Sequence, residues 1–446
     1  MPMKTFIYLA GMTVGLLAHT PLLAQSSSTG YSWDADLHHR LAVDFNKDEK
    51  TVLDYIQRYI PNVTEKQMRA WEKTGALEFR VIDGEKKYFS NAAPNLFRID
   101  KTCRSIKLKK DGTVVSGSEK ADMVNLPKII AKAPTSENHL AEAKNIKVKY
   151  TLTVKADAVP AGKTIRCWLP FPRTDIARQQ NVKLLSTSEG QYQRSPVECA
   201  HSTVYMEKKA EAGKPTVFSE EFEYVSNGCW FNILSKNVKP YDTNSALYKK
   251  YTSERDRHMV FTPRLRQLAD SLTAGTTNPV IKAQRIFQWV DANFPWASAR
   301  EYSTIENIPE YVLENHHGDC GQVTLLFLTL CRICGIPAHF ESGFMLHPGD
   351  ENLHDWGEIY FEGIGWVPVD MSFGIPTYAK NDNEKWFFLG GIDSWRMVVN
   401  SDFGEQLFPV KTYPRSETVD FQRGEVEWEG GNLYFDKWNW DLEVIK

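Results

Sequence analysis

The chain has no surplus of charge of either sign. Its 446 residues carry 53 Lys and Arg against 56 Asp and Glu, for a net charge of −3. A surface built to hold nucleic acid shows a basic excess, so that class of partner is excluded. Cysteine is scarce, with seven in all. That is too few for a disulfide-built scaffold, and the odd number leaves at least one thiol unpaired. Beyond the N-terminus no apolar run approaches the ~18 residues of a spanning helix, so no transmembrane segment is expected. Internal repeats and low-complexity tracts are also missing. Aromatic residues are plentiful, at 12% with 13 Trp, beside 42% hydrophobic and 24% charged residues. This is a globular balance with material for more than one core, and the length suggests about three domains.

Residues 1–25 read as a secretory signal. Lys4 precedes an apolar run from Phe6 to Ala18, and Ala24 offers a small residue for cleavage. No Cys follows the run, so a lipoprotein anchor is not available. The expectation is an exported protein, periplasmic or extracellular, that is soluble once the signal is removed.

The remainder divides by texture. Residues 26–135 read as a helical-plus-β N-terminal region. Val52, Tyr55, Ile56 and Tyr59 recur at helical spacing up to Pro61, and Gln67, Met68 and Trp71 suggest a further short helix. From Leu77 to about Val115 the pattern looks strand-like, with Asp83-Gly84 and Asp111-Gly112 as hairpin turns. Residues 116–145 are weakly patterned and read as a linker. Residues 136–240 read as a β-sandwich, with period-two alternation from Lys147 to Val154 and further short strands at Ile165–Leu169, Phe218–Tyr224 and Cys229–Leu234. Residues 241–400 change texture again. Asn278-Pro279 opens a helix whose apolar face is Ala283, Ile286, Phe287 and Val290. Residues 401–446 end in an aromatic hairpin around Gly430-Gly431-Asn432.

Chemistry concentrates between His316 and Gly374. Gly318-Asp319-Cys320-Gly321-Gln322 precedes a run from Val323 to Cys334 that is apolar nearly all round, the pattern of a buried central helix. Gly335-Ile336-Pro337 stops it. Cys320 thus falls at a helix N-terminus, where the dipole and free N–H groups favour a thiolate and can bind an oxyanion. A nucleophilic thiol needs a base and a group to orient that base. His354 and Asp370 are candidates, on two strands joined by a turn at Glu362-Gly363-Ile364-Gly365. Asp355 and Asp393 are rival carboxylates for the orienting role.

Gly318-Asp319-Cys320, the helix end Cys331-Arg332-Ile333-Cys334-Gly335-Ile336-Pro337-Ala338, His354-Asp355-Trp356 and Gly365-Trp366-Val367-Pro368-Val369-Asp370 occur in this order. Together they resemble the transglutaminase-like superfamily, a branch of the papain-like thiol enzymes, over roughly Pro279 to Asn400. The resemblance implies an α+β core with the Cys helix packed on an antiparallel sheet, preceded by a sandwich domain. It also implies Cys320 as nucleophile, His354 as general base and acid, and Asp370 as orienter. The implied activity is thiol-dependent acyl transfer on a peptide or carboxamide, more hydrolytic than crosslinking, with a protein or peptide as substrate and no metal or cofactor. Members often add an upstream side chain to the oxyanion hole. Trp296, Tyr302 and Glu314 lie upstream here, and none sits in an alignable motif.

Other residues carry two readings each. Cys331 and Cys334 form a C-x-x-C, but with no second ligand pair they read as core packing rather than zinc or redox chemistry. His316-His317 could gate the site or simply form the loop. Trp356 and Trp366 could shield the thiol or pack the core. Cys167–Cys229 or Cys199–Cys229 could pair after export, and Cys103 adds a further option. The C-terminal aromatics could hold sugar or dock on the core. A second function class is an inactive binding or scaffold protein on the same fold. A sugar-active enzyme would need paired carboxylates in a cleft, for which the sequence has no signature.

Overall fold

The computed structural model describes residues 31–445. The expected signal at residues 1–25 lies outside the described residues. Among those described, no helix is long and apolar enough to cross a membrane.

The N-terminal region begins with helices Trp33–Asp44, Glu49–Gln57 and Glu65–Lys73. Each starts where a side chain caps it: Ser32, Asp48 and Thr64, the last in a reciprocal capping box with Gln67. The positions picked out by helical spacing, Val52, Ile56, Met68 and Trp71, are buried together. The strand-like reading beyond Leu77 needs correction. One hairpin forms, Phe79–Ile82 with Glu85–Tyr88, around Asp83-Gly84. The chain then turns helical at Ala92–Ile99 and Lys101–Asp111. Asp100 caps the second of these through the Cys103 N–H at 2.8 Å, and Gly112 at φ 79° ends it, so Asp111-Gly112 is a helix stop and not a hairpin turn.

The linker reading of 116–145 is also corrected. A Ser116/Glu119 capping box opens a helix over Gly117–Lys132, and the strand Leu140–Val154 follows closely. The helix escaped the pattern because its buried face mixes Ser118, Asp122 and Asn125 with Leu126 and Ile129. Apolar periodicity is weak where the inward face is polar.

The sandwich consists of two sheets. One has Thr216–Trp230 paired with Leu140–Val154, which in turn pairs with Trp438–Ile445; Gln179–Thr187 and Gly391–Ile392 also join Thr216–Trp230. The other runs Gly431–Asn432, Glu425–Trp428, Thr164–Pro170, Thr203–Lys209, Gln193–Arg194. Between them lie Val148, Tyr150, Leu152, Trp168, Phe218, Phe222, Val426 and Trp438, all buried. The C-terminal segment therefore docks by pairing: its hairpin strands enter one sheet and its last strand the other.

The third unit places helix Cys320–Ile333 on a four-stranded antiparallel sheet ordered Gly365–Val369, Asn352–Phe361, Ala338–Met345, Arg396–Ser401. Helices Pro263–Thr273, Pro279–Asn293 and Ile308–Asn315 surround it. Leu325, Leu326, Phe327, Leu328 and Leu330 are fully buried, so the central helix is enclosed on all sides. Gly357 lets it approach the sheet, since a Cβ there would lie 3.0 Å from Leu328 Cδ2 and 2.8 Å from the His339 carbonyl. All seven cysteines are free thiols, so neither Cys167–Cys229 nor Cys199–Cys229 is formed. Cys331 is buried in the core, and Cys334 Sγ lies 3.7 Å from Thr273 Oγ1 at the helix end, consistent with packing.

Candidate functional site

Cys320 is the first residue of the central helix. Asp319 caps that helix, accepting the Gln322 N–H at 3.0 Å, while the Gln322 side chain bonds back to the Asp319 N–H at 3.4 Å. The Val323 N–H goes to the Asp319 carbonyl at 3.1 Å. The N–H groups of Cys320 and Gly321 keep no partner among the described residues, which leaves two donors beside the sulfur. Gly321 is required there. A Cβ would fall 2.4 Å from Tyr302 Oη and 2.7 Å from Asp355 Oδ2.

His354 and Asp370 meet across the hairpin of Asn352–Phe361 with Gly365–Val369. The register pairs Gly357 with Val369 and Phe361 with Gly365, and this sets His354 Nε2 2.8 Å from Asp370 Oδ2. Nε2 therefore faces the carboxylate, and Nδ1 is the nitrogen left for other chemistry. Asp370 Oδ1 accepts the N–H groups of Ser372 and Phe373 at 3.1 and 2.9 Å, and Arg396 Nη1 donates to Oδ2 at 2.7 Å. Burial alone would raise the Asp370 carboxyl; His354 and Arg396 outweigh it and hold it below the usual range. Burial lowers His354, with Asp370 opposing, so the imidazole is the neutral form a general base needs.

The sulfur of Cys320 bonds to Asp355 Oδ2 at 3.3 Å and makes no hydrogen bond to His354. Asp355 is the residue after His354 on the same strand, and Gln422 Nε2 ties the two, donating to the His354 carbonyl at 2.8 Å and to Asp355 Oδ1 at 2.7 Å. Here the expectation of a depressed thiol is overturned. Burial pushes the Cys320 thiol up, and the Asp355 and Asp319 carboxyls push it further, against the helix dipole. Burial also raises Asp355, with help from Asp420 and Asp319, and raises Asp319 to about 7. The resting state is a neutral thiol held by Asp355 and a neutral imidazole held by Asp370.

Of the three upstream candidates, Tyr302 reaches the site. It is buried and its hydroxyl donates to Asp319 Oδ1 at 2.6 Å, with Asp355 Oδ2 at 3.4 Å. Trp296 is 45% exposed; its segment bonds through the Ala297 N–H to the Gly318 carbonyl at 3.0 Å, and Arg98 lies 4.9 Å over its ring. Glu314 is exposed. His316 takes a left-handed helix-end conformation at φ 57°, and His317 is buried with Nδ1 2.8 Å from the Asn315 carbonyl, so both serve the loop. Trp356 is fully buried and donates to Glu341 at 2.7 Å, while Trp366 packs edge-on to His339. Arg396 was not singled out by the sequence. Its one signal is the neighbouring Asp393, three residues away.

Asp122, His347 and Asp393 bring one ligand-type atom each within 4.8 Å of one another. Arg396 is already bonded to Asp393, and the His347 ring lies between the two carboxylates, so positive charge at this cluster comes from the chain itself.

Residues 266–371 match the family model of the transglutaminase-like superfamily. An uncharacterized protein YebA of Bacillus subtilis strain 168 is 24% identical over 135 residues; these are 26% of this chain, which spans 18% of that relative's length. Among solved structures, a candidate cysteine protease from Cytophaga hutchinsonii is similar at 14% identity and TM-score 0.45, covering 69% of this chain and 92% of that one. The periplasmic domain of TgpA from Pseudomonas aeruginosa is similar at 15% identity and TM-score 0.29, covering 55% and 91%.

Proposed function

Because residues 266–371 carry a transglutaminase-like domain, we propose that the protein is an exported cysteine enzyme that transfers acyl groups from peptide or carboxamide bonds. The observation that carries this reading is the His354–Asp370 bond of 2.8 Å, one residue away from the Asp355 carboxyl that touches the Cys320 sulfur. Cys320 is the nucleophile, His354 the base and acid, and Asp370 the group that orients the imidazole.

At rest Asp355 holds the sulfur on the opposite face of the strand from His354, so the reaction requires the thiol to leave Asp355 and come within reach of His354 Nδ1, which takes its proton as sulfur attacks the carbonyl carbon. The free N–H groups of Cys320 and Gly321 hold the oxyanion. The imidazolium then protonates the departing amine, leaving a thioester. Water, deprotonated by His354, attacks the thioester and restores the thiol. Hydrolysis of a protein or peptide is the outcome we propose, with an amine acceptor as the crosslinking variant. No step calls for a metal or cofactor. Residues 1–25 direct export.

A second reading is an inactive binding protein on this fold. The contact of Cys320 with Asp355 and not His354 favours it, since a raised thiol is a poor nucleophile at rest. Labelling with a peptide-based thiol electrophile, read by mass spectrometry, separates the two. The enzyme reading expects modification at Cys320, lost in Cys320→Ala and strongly slowed in His354→Gln. Equal slow labelling of wild type and His354→Gln at every pH would establish the binding protein instead. Product analysis with and without an added amine then assigns the acceptor.

A further inference from the structure

The His354–Asp370 pair is the end of a longer buried chain of charge. Asp370 Oδ2 bonds Arg396 Nη1 at 2.7 Å, and Arg396 Nε donates to Asp393 Oδ2 at 2.7 Å. Asp393 Oδ1 lies 3.2 Å from His347 Nε2, and that same nitrogen lies 3.4 Å from Asp122 Oδ1. Asp122, His347, Asp370 and Asp393 are 0% exposed and Arg396 is 2% exposed. Carboxylate and cation alternate along the whole path, from the sheet hairpin to the helix Gly117–Lys132 of the N-terminal region.

We propose that Arg396 is the positioning residue of the His354–Asp370 pair, and that Asp393, His347 and the N-terminal region's Asp122 hold Arg396 in turn. The inference rests on the reading of His354 as base.

Three features support it. A buried carboxylate needs a permanent countercharge, and a neutral imidazole supplies none. Arg396 is the cation bonded to Asp370, so it keeps that carboxylate ionised through the part of the cycle when His354 is uncharged. The guanidinium is also fixed in its plane: Phe373 and Trp356 lie 4.4 and 5.5 Å from it, and its backbone carbonyl accepts from Tyr224 Oη and Ser226 Oγ of the sandwich. Finally, three carboxylates face two cations when His347 is protonated. The His354 imidazolium is the third cation that balances the set. Burial lowers His347, but Asp393 and Asp122 outweigh it and lift it to about 9, so it is charged at neutral pH. The groups that face His354 are Asp370, with Arg396 and Asp393 behind it, the rings of Trp356 and Phe373, and Gln422 on its carbonyl.

The test is an NMR titration of His354 in the full chain, with the signal assigned by its loss in His354→Gln. Neighbouring links of opposite charge must act with opposite sign. Arg396→Met removes a cation and raises the His354 midpoint; Asp393→Asn removes an anion and lowers it, each by roughly half a pH unit or more. Arg396→Lys keeps the charge and returns the midpoint close to wild type. If Arg396→Met fails to fold, Asp393→Asn and Arg396→Lys carry the same comparison. Midpoints that stay put in folded variants, or move in one direction for both, overturn the proposal. The titration needs no turnover, so a responsive His354 beside an unreactive Cys320 would sink the enzyme reading and leave the chain intact.

Discussion

Cys320 Sγ rests 3.3 Å from Asp355 Oδ2, so the thiol is held by a carboxyl group adjacent in sequence to the imidazole. Burial does most to oppose formation of the thiolate, and an ionised Asp355 carboxyl opposes it further. Replacing Asp355 with Asn removes the charge and keeps the shape. The pH profile of Cys320 alkylation should move to lower pH, with a severalfold faster rate at pH 7. An unmoved profile would mean that burial alone sets the thiol.

Gly321 has no room for a side chain. Its Cβ would meet Tyr302 Oη at 2.4 Å and Asp355 Oδ2 at 2.7 Å, both of which are tied by hydrogen bonds. Gly321→Ala should cost about 1–3 kcal/mol in denaturant unfolding, as overpacking does. Tyr302→Phe on the same background deletes the nearest atom and should recover part of the loss, a coupling that two independent sites would not show. Strict additivity of the two substitutions would contradict the contact.

Leu328 is fully buried between the central helix and the sheet, against Gly357. Leu328→Ala should destabilise the protein by about 2–5 kcal/mol, the range for a buried leucine whose surroundings relax incompletely. Urea unfolding with an unchanged slope would report this as stability alone.

Glu220 is 1% exposed in the sandwich, and neither carboxyl oxygen has a hydrogen-bond partner among the described residues. Burial pushes its carboxyl well up, with Arg194 opposing. The folded state thus holds this proton more tightly than the unfolded chain. Stability is unaffected by the group below about pH 4.5 and declines as pH rises from there toward the folded-state value. Glu220→Gln should flatten that decline and raise Tm at pH 8 more than at pH 4. An equal change at both pH values would show the carboxyl to be ionised without cost.

The parts of the site that were legible lie close together in the chain. Gly318 to Gln322 announced a capped helix, and a turn at 362–365 between two alternating stretches announced the hairpin that brings His354 to Asp370. Local spacing and turn chemistry suffice for both. Arg396 and Asp122 were not legible because their partners come from other elements, and charge pairing at long range leaves no periodic trace. The same holds for the helix Gly117–Lys132, whose inward face is polar because it meets His347 and Asp393. From the sequence, Asp355 reads only as a rival to Asp370. Alternation puts it on the opposite face of the strand from His354, which is the face toward the central helix.

The pairing of Val154 with Trp438 and of Lys147 with Ile445 has a temporal consequence. On a translating ribosome, the strand Leu140–Val154 emerges long before its neighbour exists. It must wait with one edge open, while Thr164–Pro170 waits for Glu425–Trp428 in the other sheet. Both sheets close only when the final strands arrive, after the domain bearing Cys320 has been made. Pairings so distant in sequence fold slowly, and an open strand edge is a place where another chain can add. A holding chaperone would have most to protect at this stage of synthesis.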